Sequence, residues 1–408
     1  MQCQSCNNTD LTHVLSLGYM PPVNDMRPIN VSATAQHWLP TDLLYCSNCE
    51  LVQLECIADP EVVFPAHYPY TSGSTKILRD NFVELAHEAC DLIDLKKDDL
   101  VVDIGSNDGT LLANFKDKAE ILGVEPTAIA FLAHRRGIRT ERRFFARDTG
   151  RWIAEKYGQA KIVTAANVFA HIDDIHGIIE SIIDLMADDG VFISESHYLM
   201  TLIERLQYDT IYHEHLRYYS VTSLRNLLKQ HGLHIFYVKR IPTHGGSIRV
   251  YARKEKSSAV NSKLSYPMMF EQTGDKLLAK LFAFASDVQL SKLNLMNALY
   301  LIKRSGGKIC GISAPSRAST VVSYCRLDNS LVDFVAEVDG SLKIGKYMPG
   351  TDIPVVNEQE LLERQPDFAI LFSWHIADML IPKLREKGYK GQFILPCARG
   401  MRLETKAA

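Results

Sequence analysis

The stretch Leu100-Val101-Val102-Asp103-Ile104-Gly105-Ser106-Asn107-Asp108-Gly109 decides the fold of this 408-residue chain. Its apolar run predicts a buried parallel strand, and the glycines predict a tight turn into a helix where the backbone can approach a ligand. Glu125 lies 22 residues after Asp103, at the end of the next predicted strand, and can accept hydrogen bonds from both hydroxyls of a ribose. The stretch therefore predicts an α/β domain that binds an adenosine-containing cofactor.

The spacing of the two glycines in this loop helps to distinguish between sulfonium and dinucleotide cofactors. Gly105 and Gly109 give Gly-x-x-x-Gly in place of the G-x-G-x-x-G that admits a pyrophosphate, and Asp103 and Asp108 are expected to repel phosphates. A cationic sulfonium ligand is therefore favoured over NAD. The alternative is a glycine turn that only connects strand and helix.

The whole chain divides into three predicted domains: a small module over 1–70, an α/β domain over 71–255 that contains this stretch, and a second α/β unit over 256–408. A polar segment over 254–265 is the predicted linker, and a helix is predicted from about 270 to 304. The predicted strands of the two α/β units are 100–104, 121–125, 161–165, 190–195, 234–240, 247–253, 308–312, 332–337, 368–372 and 392–396.

Composition and charge exclude several classes of protein. Apolar residues make up 46% and charged residues 23%, which is typical of globular domains and not of disordered chains. The net charge of -3 has no long basic tract, so no nucleic-acid partner is expected. No apolar run is long enough for a membrane span, and the N-terminus shows no signal-peptide pattern, so we expect a cytoplasmic protein without a membrane partner.

Four of the nine cysteines form two Cys-x-x-Cys pairs: Cys3 with Cys6, and Cys46 with Cys49. In a reducing compartment this pattern favours a metal over disulfides, and four thiolates complete the tetrahedron of a structural zinc ion. Such a zinc has no open position for substrate, so we expect it to stabilise folding. Unligated cysteines or a redox pair are the alternatives.

Several further motifs occur in order along the chain. They are Tyr68-Pro-Tyr70-Thr-Ser72-Gly-Ser74, Asn167-Val-Phe-Ala-His171-Ile, Tyr208-Asp-Thr-Ile-Tyr212-His213-Glu214-His215, His244-Gly-Gly-Ser-Ile-Arg249 and Lys343-Ile-Gly-Lys-Tyr-Met-Pro349-Gly350. With the cysteine pairs and the cofactor loop, they resemble the S-adenosylmethionine-dependent sugar C-3′-methyltransferases of deoxysugar biosynthesis. The resemblance implies a zinc-binding N-terminal module, a class I methyltransferase (Rossmann-like) central domain and a C-terminal Rossmann-like α/β domain that binds the sugar nucleotide.

The resemblance also implies the chemistry. Methylation of carbon requires a carbanion, which a sugar forms only beside a carbonyl, and a neutral histidine is a suitable base near pH 7. His215 matches the family's base for the C-3′ proton of a 4-keto sugar, with Glu214 beside it. Tyr212 and His171 line the same pocket, where either could donate to the enolate oxygen, and Tyr70 is the preferred residue of a lid over the cofactor.

The remaining site residues follow from the same motifs. Predicted cofactor contacts are Tyr70, Ser72, Asp103, Gly105, Asn107, Glu125 and Asn167. Predicted contacts to a dTDP- or GDP-linked keto sugar are His244, Gly246, Ser316, Arg317 and Lys343. No obligate protein partner is evident.

Structural interpretations compete with several of these assignments. His213 alternates with its neighbours, so in an extended segment it faces away from the site and is structural. Tyr70 could be a core aromatic, and His244 could be a turn residue. Phe144 and Phe145 pack either the adenine or the core. The basic loop that ends at Arg317 could be only solvated.

Other functions are also open at this stage. An O- or N-methyltransferase needs a base but no adjacent ketone, and a non-catalytic sensor of S-adenosylmethionine needs neither. An NAD-dependent sugar dehydrogenase is disfavoured by the loop spacing.

Overall fold

The structure is a computed structural model, and it describes residues 1–32, 36–63, 72–255, 271–397 and 402–404. Its strands form three sheets of four, seven and six strands. One sheet lies mainly in the N-terminal part of the chain, one in the central part and one in the C-terminal part.

The N-terminal module is a small antiparallel sheet of strands β1 (Leu11–Met20), β2 (Leu39–Cys46) and β3 (Val52–Leu54), followed by the short helix α1 (Pro60–Val63). A fourth strand, Arg217–Tyr218, comes from the central domain, and Tyr218 pairs with Val52. The module and the central domain therefore share one sheet.

The central domain surrounds the seven-stranded sheet. Its elements are α2 (Lys76–Leu92), β4 (Leu100–Ile104), β5 (Glu120–Val124), α3 (Ala130–Arg135), β6 (Thr140–Glu141), α4 (Thr149–Tyr157), β7 (Ala160–Ala166), α5 (Ile175–Leu185), β8 (Met186–His197), α6 (Leu199–Glu204), β9 (Arg217–Tyr218), α7 (Val221–Lys229), β10 (Leu233–Ile241) and β11 (Ser247–Lys254). The strand order is β10-β11-β8-β7-β4-β5-β6, and β11 alone among these strands runs antiparallel to the others. This order confirms the predicted class I methyltransferase domain.

The C-terminal unit begins with the long helix α8 (Gly274–Arg304). It continues as β12 (Ile309–Ile312), α9 (Ser316–Tyr324), β13 (Val335–Glu337), β14 (Val355–Asn357), α10 (Gln359–Arg364), β15 (Phe368–Leu371), α11 (Ala377–Glu386), β16 (Gln392–Leu395) and β17 (Arg402–Glu404). The strand order is β14-β13-β12-β15-β16-β17, and β17 alone among these strands is antiparallel to its neighbour. The predicted Rossmann-like α/β domain is thereby confirmed.

Helix α8 connects the three modules. It contacts β1 of the N-terminal sheet, α6 of the central domain and β12 of the C-terminal sheet. Leu277, Leu281, Phe284 and Val288 are buried on its inner face, and burial of apolar side chains is the main force that holds such elements together.

Short 3-10 helices carry several residues of interest. They span Ser72–Ser74, Leu112–Asn114, Phe169–His171, Tyr208–Thr210, Thr243–Gly245 and Trp374–Ile376. Most of them follow a strand or helix of the central or C-terminal domain. In α/β domains, loops that follow the strands bind ligands. Among the described residues, no helix combines the length and apolar character needed to cross a bilayer.

Two local predictions were wrong. The strand predicted over 332–337 is shorter, Val335–Glu337, because the chain before it is a loop in which the Asp333 amide donates to Ile309 outside the ladder. The segment from Tyr212 to His215 was predicted to be extended, but it is a turn closed by a 2.9 Å bond from the His215 amide to the Tyr212 carbonyl.

Candidate active site and zinc site

The four predicted zinc ligands lie together. The Sγ atoms of Cys3, Cys6, Cys46 and Cys49 all lie within 4.8 Å of one another, and the pairs Cys3–Cys49 and Cys6–Cys46 are each 3.5 Å apart. A tetrahedral zinc with Zn–S bonds of about 2.3 Å holds its sulfurs about 3.8 Å apart. The cluster therefore fits zinc and leaves no ligand position for substrate.

Both cysteine pairs use the same backbone turn. The residue after each pair, Asn7 or Glu50, has a positive φ of 58° or 62°. The amide of that residue donates to the carbonyl of the first cysteine of its pair, at 3.0 Å and 2.8 Å respectively. The second turn directly follows β2, which brings the distant pair back to the first.

The cofactor loop turns at Gly105, between β4 and the Ser106-Asn107-Asp108 segment. Gly105 has φ of +66°, and a Cβ atom added there would lie 2.5 Å from Val168 Cγ2. Its amide donates to the Val124 carbonyl at 2.8 Å. Only glycine suits this position, and the turn brings bare backbone to the carboxyl end of the sheet, as the sequence predicts.

Glu125 is buried at the end of β5 with its carboxylate already oriented. Its Oε2 accepts from the Asn107 amide at 3.1 Å, and its Oε1 accepts from the amide and hydroxyl of Thr127 at 2.9 Å and 2.6 Å. A carboxylate offers about four acceptor positions. Of these bonds, Oε2 accepts one and Oε1 accepts two.

The two aspartates of the cofactor loop, Asp103 and Asp108, are both bonded to other side chains of the protein. Asp108 is paired with Arg136 at 3.1 Å and bonded to Thr110. Asp103 accepts from Thr164 at 2.6 Å beneath the loop, and burial raises its pKa to about 7. The partners Arg136 and Thr164 therefore compensate part of the negative charge that the sequence places at this loop.

The segment before α2 is tied to the cofactor loop. The Ser72 amide donates to Asn107 Oδ1 at 2.8 Å, and the Gly73 amide donates to Asp108 Oδ2 at 3.2 Å. Tyr70, the predicted lid residue, lies outside the described residues. Ser72 and Asn107, both predicted cofactor contacts, are thus adjacent.

Asn167, another predicted cofactor contact, follows β7 on the same side of the sheet. Its backbone is left-handed, with φ of 58°, and its amide donates to the Glu195 carbonyl at 2.8 Å. Within the described part of the chain, its buried Oδ1 has no hydrogen-bond partner. A ligand donor could satisfy this oxygen.

His215 is buried, and its protonation is fixed by the backbone. Its Nδ1 lies 2.8 Å from the Thr210 carbonyl. A carbonyl can only accept, so Nδ1 carries the proton and Nε2 keeps its lone pair. Burial lowers the pKa of His215 to about 4, so the ring is neutral at pH 7. The arrangement is that of an unprotonated base.

Aromatic and imidazole rings surround His215. The ring centroids of Tyr212, His197 and His171 lie 4.1, 4.9 and 5.0 Å from that of His215. His197 in turn stacks on His244 at 5.5 Å. Burial lowers the pKa of His171 and His197 well below 6.5 and that of His244 to about 4, while burial raises the pKa of Tyr212 well above 10. All are neutral hydrogen-bonding groups near pH 7.

His213 faces the other way, as expected for a structural residue. Its Nε2 donates to the Pro40 carbonyl at 3.1 Å and lies 3.2 Å from Thr41 Oγ1. The expected cause, alternation along an extended segment, was wrong because the segment is a turn. His213 instead joins the central domain to β2.

Glu214 is held by a residue of the N-terminal module. Asn24 Nδ2 donates to Glu214 Oε1 at 2.7 Å, and Ser316 Oγ donates to Asn24 Oδ1 at 3.3 Å. Glu214 and Ser316, predicted for the sugar and its phosphates, are thereby linked through a third module.

Arg317 has a different principal partner from the one we expected. Its Nε and Nη2 donate to both carboxylate oxygens of Asp209 at 2.8 and 2.9 Å, and Trp374 Nε1 also donates to Asp209 at 2.7 Å. Arg317 and Asp209 are both buried. The solvated basic loop is thus contradicted for Arg317, and a bond to a diphosphate would have to come from Nη1 or from the second N–H of Nη2.

The other predicted sugar contacts lie around this pair. Lys343 Nζ donates to the Ala314 carbonyl at 2.6 Å, and burial lowers its pKa. His244 has a left-handed backbone, with φ of 55°. At Gly246 a Cβ atom would lie 2.3 Å from Thr201 Cγ2, so glycine is required there.

Sequence reasoning missed four residues of the site, namely Asn24, His197, Asp209 and His375. His197 ends β8 just beyond the predicted strand, so the rule that ligands bind at carboxyl ends could have identified it. Burial lowers the pKa of His375 to about 2, with added repulsion from Arg317 and His244. Within the described residues, His197 Nδ1, His244 Nε2 and His375 Nδ1 have no hydrogen-bond partner.

Phe144 and Phe145, which the sequence places against either the adenine or the core, differ in their exposure. Phe145 is buried in the hydrophobic core, and Phe144 is exposed. The structure thus favours core packing for Phe145.

Three protein-family models match the chain in order. They are described as a putative zinc binding domain over residues 3–64, a methyltransferase domain over 77–238 and a C-methyltransferase C-terminal domain over 242–397. The C-methyltransferase NovU of Streptomyces niveus is 30% identical over 400 residues, which cover 97% of this chain and 95% of NovU.

The chain belongs to the C-methyltransferase family. It is a methyltransferase that uses S-adenosylmethionine, and its N-terminal domain binds zinc through the four clustered cysteines. The family assignment that the motifs implied is thereby confirmed.

Two solved structures each match part of the chain. A putative methyltransferase in complex with the Trm112 activator of Haloferax volcanii gives a TM-score of 0.34 at 16% identity over 43% of this chain and 91% of the other. An S-adenosylmethionine-dependent methyltransferase of Clostridium acetobutylicum gives 0.34 at 14% identity over 44% of this chain and 93% of the other.

Proposed function

We propose that this C-methyltransferase transfers the methyl group of S-adenosylmethionine to C-3′ of a dTDP- or GDP-linked 4-keto-6-deoxysugar. The observation that carries the proposal is the tautomer of His215. Its Nδ1–H is bonded to the Thr210 carbonyl, so its unprotonated Nε2 is available as a base. A methyltransferase that acts on carbon needs such a base together with groups that stabilise a carbanion.

The reaction begins with proton transfer. His215 Nε2 takes the C-3′ proton, and the electron pair of the C–H bond moves into the C-4′ carbonyl to form an enolate. The enolate carbon then forms a bond to the methyl carbon as the methyl–sulfur bond breaks, which restores the ketone and releases S-adenosylhomocysteine. The proton on His215 is returned to solvent before the next turnover.

Neutral donors next to His215 suit the enolate. The raised pKa of Tyr212 keeps its hydroxyl protonated, and the lowered pKa of His171 keeps that ring neutral, so each can donate one hydrogen bond to the C-4′ oxygen. A preorganised donor of this kind contributes about 2.7 to 4 kcal/mol to catalysis. Glu214 accepts from a sugar hydroxyl or sets the local charge.

The remaining predicted residues divide between the two ligands. Tyr70, Ser72, Asp103, Gly105, Asn107, Glu125 and Asn167 contact S-adenosylmethionine or support its loop. His244, Gly246, Ser316, Arg317 and Lys343 contact the sugar nucleotide or support its pocket. Holding the methyl donor and the carbanion in line contributes on the order of 7 to 11 kcal/mol.

The proposal is tested with His215→Asn. The variant keeps a hydrogen-bonding side chain of similar size but removes the proton acceptor, so we expect turnover to fall by at least about a hundredfold. Exchange of the C-3′ hydrogen with deuterated water, followed with S-adenosylhomocysteine bound, isolates the proton step. His213→Asn is the matched control, because His213 contacts β2 and should leave the exchange rate unchanged.

Product analysis completes the test. A panel of nucleotide-linked 4-keto-6-deoxysugars is incubated with enzyme and S-adenosylmethionine, and NMR locates the new methyl group. A methyl on oxygen or nitrogen would contradict the proposal, as would exchange in His215→Asn at the wild-type rate. Binding of S-adenosylmethionine without transfer to any member of the panel would contradict the proposed class of sugar substrate.

A further inference from the structure

Asn24 is the point where the three modules meet beside the sugar site. It lies in the loop after β1, 190 residues before Glu214 in the chain, yet its Nδ2 donates to Glu214 Oε1 at 2.7 Å. Its Oδ1 accepts from Ser316 Oγ, at the start of α9, at 3.3 Å. One amide of the zinc-binding domain thus bridges the central and C-terminal domains.

The loop that carries Asn24 is fixed on both flanks. The Val23 carbonyl accepts from Ser319 Oγ at 2.9 Å, and Met20 and Val23 are buried. Four residues further on, the Arg27 carbonyl accepts from the Tyr347 amide at 2.8 Å. Because the backbone is held on each side, the Asn24 side chain can serve as a rigid support.

The orientation of the amide follows from its neighbours. A carboxylate only accepts hydrogen bonds, so the Asn24 nitrogen must face Glu214, and its oxygen then faces the Ser316 hydroxyl. Glu214 is buried and precedes His215 in the chain. Fixing this carboxylate fixes a charge beside the base.

We propose that Asn24 is a positioning residue of the sugar site: it holds Glu214 in the rotamer that meets the substrate and connects it to Ser316 of the C-terminal domain. This inference rests on the proposed function. It gives the zinc-binding domain a direct part in the active site, in addition to its folding role.

Asn24→Ala tests the support itself. Hydrogen bonds to charged groups have a net value that corresponds to a change of about ten- to a hundredfold, so we expect kcat/KM for the sugar nucleotide to fall by that factor. Calorimetric affinity for S-adenosylmethionine and the zinc content should stay at wild-type values. Asn30→Ala is the matched control, because Asn30 is exposed in the same loop.

Asn24→Asp separates positioning from packing. It keeps the size of the side chain but opposes a second carboxyl to Glu214, and two carboxyls in contact bind one proton more tightly than either alone. The charged or titratable neighbours of Glu214 include Lys343 and Tyr212. The activity of Asn24→Asp relative to wild type should therefore be lower at pH 8 than at pH 6, where the shared proton restores a hydrogen bond.

A double-mutant cycle assigns the effect to Glu214. In a Glu214→Gln background, Asn24→Ala should cost less than in wild type, because the charge that it positions is absent. A ratio of Asn24→Asp to wild-type activity that is the same at both pH values would overturn the inference, as would additive costs in the cycle.

The wild-type exchange experiment distinguishes the two possible failures. If the wild-type enzyme exchanges the C-3′ hydrogen while Asn24→Ala retains full kcat/KM, the positioning role is refuted and the proposed function stands. If the wild-type enzyme shows no exchange and no C-methyl product, the proposed function fails, and the inference fails with it.

Discussion

The buried histidine at the centre of the site predicts a measurable loss of stability in acid. The pKa of His215 is lowered from 6.5 to about 4 in the folded protein because the ring is buried. Between these values the unfolded chain binds a proton that the folded chain does not, so stability falls as the pH drops through this window. Below about pH 4 both states are protonated and the loss stops growing.

The size of the effect follows from the shift. At pH 5 an unfolded-state pKa of 6.5 and a folded-state value of about 4 give a loss of about 2 kcal/mol relative to neutral pH. In His215→Asn the titrating group is absent. Between about pH 7.5 and pH 5 the variant should therefore lose about 2 kcal/mol less stability than the wild type.

Thermal unfolding followed by circular dichroism at both pH values measures this difference. For a domain of 150 to 250 residues, 2 kcal/mol corresponds to a difference of about 4 to 8 °C in Tm. His37→Asn is the control, because it removes an exposed histidine. A His215→Asn profile parallel to that of the wild type would refute the burial argument.

Three further predictions concern other parts of the molecule. Cys46→Ser removes one ligand of the zinc cluster, so elemental analysis should show less than one zinc per chain, and the folded yield should fall; full zinc occupancy would count against a four-cysteine site. Glu125→Ala removes the carboxylate that is predicted to accept hydrogen bonds from the ribose. Calorimetry should therefore show that the affinity for S-adenosylmethionine is weaker by about ten- to a hundredfold. An unchanged Kd would exclude the ribose contact. Asp209→Asn leaves the buried Arg317 with a neutral partner. The free energy of unfolding, measured by chemical denaturation, should fall by up to about 3 to 5 kcal/mol. An unchanged unfolding midpoint would show that the ion pair does not contribute to stability.

The features that the sequence predicted well depend on local patterns. Parallel strands buried on both faces are short apolar runs, so β4 and β7 were found to within one or two residues. The glycine turn at Gly105 and the cysteine pairs each require a specific residue type at a fixed spacing, and the structure places both where these patterns indicate.

What could not be predicted depends on contacts between distant residues. Asp209 and Arg317 are 108 residues apart, and no spacing rule pairs them. The arginine was therefore assigned to a phosphate, although two of its N–H groups donate to Asp209. Asn24 could not be identified from the sequence either, because its proposed role depends on its hydrogen bond to the distant Glu214. The turn at Tyr212–His215 is set by tertiary hydrogen bonds that the residue types do not reveal.

The shared sheet of the first module has a consequence for synthesis on the ribosome. Its last strand, Arg217–Tyr218, pairs with Val52 and Gln53. At a translation rate of about 5 to 20 residues per second, this strand emerges about 10 to 30 s after β3. During that interval β3 presents unsatisfied backbone groups, which are a template for wrong pairing. Early metal capture by the cysteines is one way for the nascent chain to keep this segment ordered until its partner arrives.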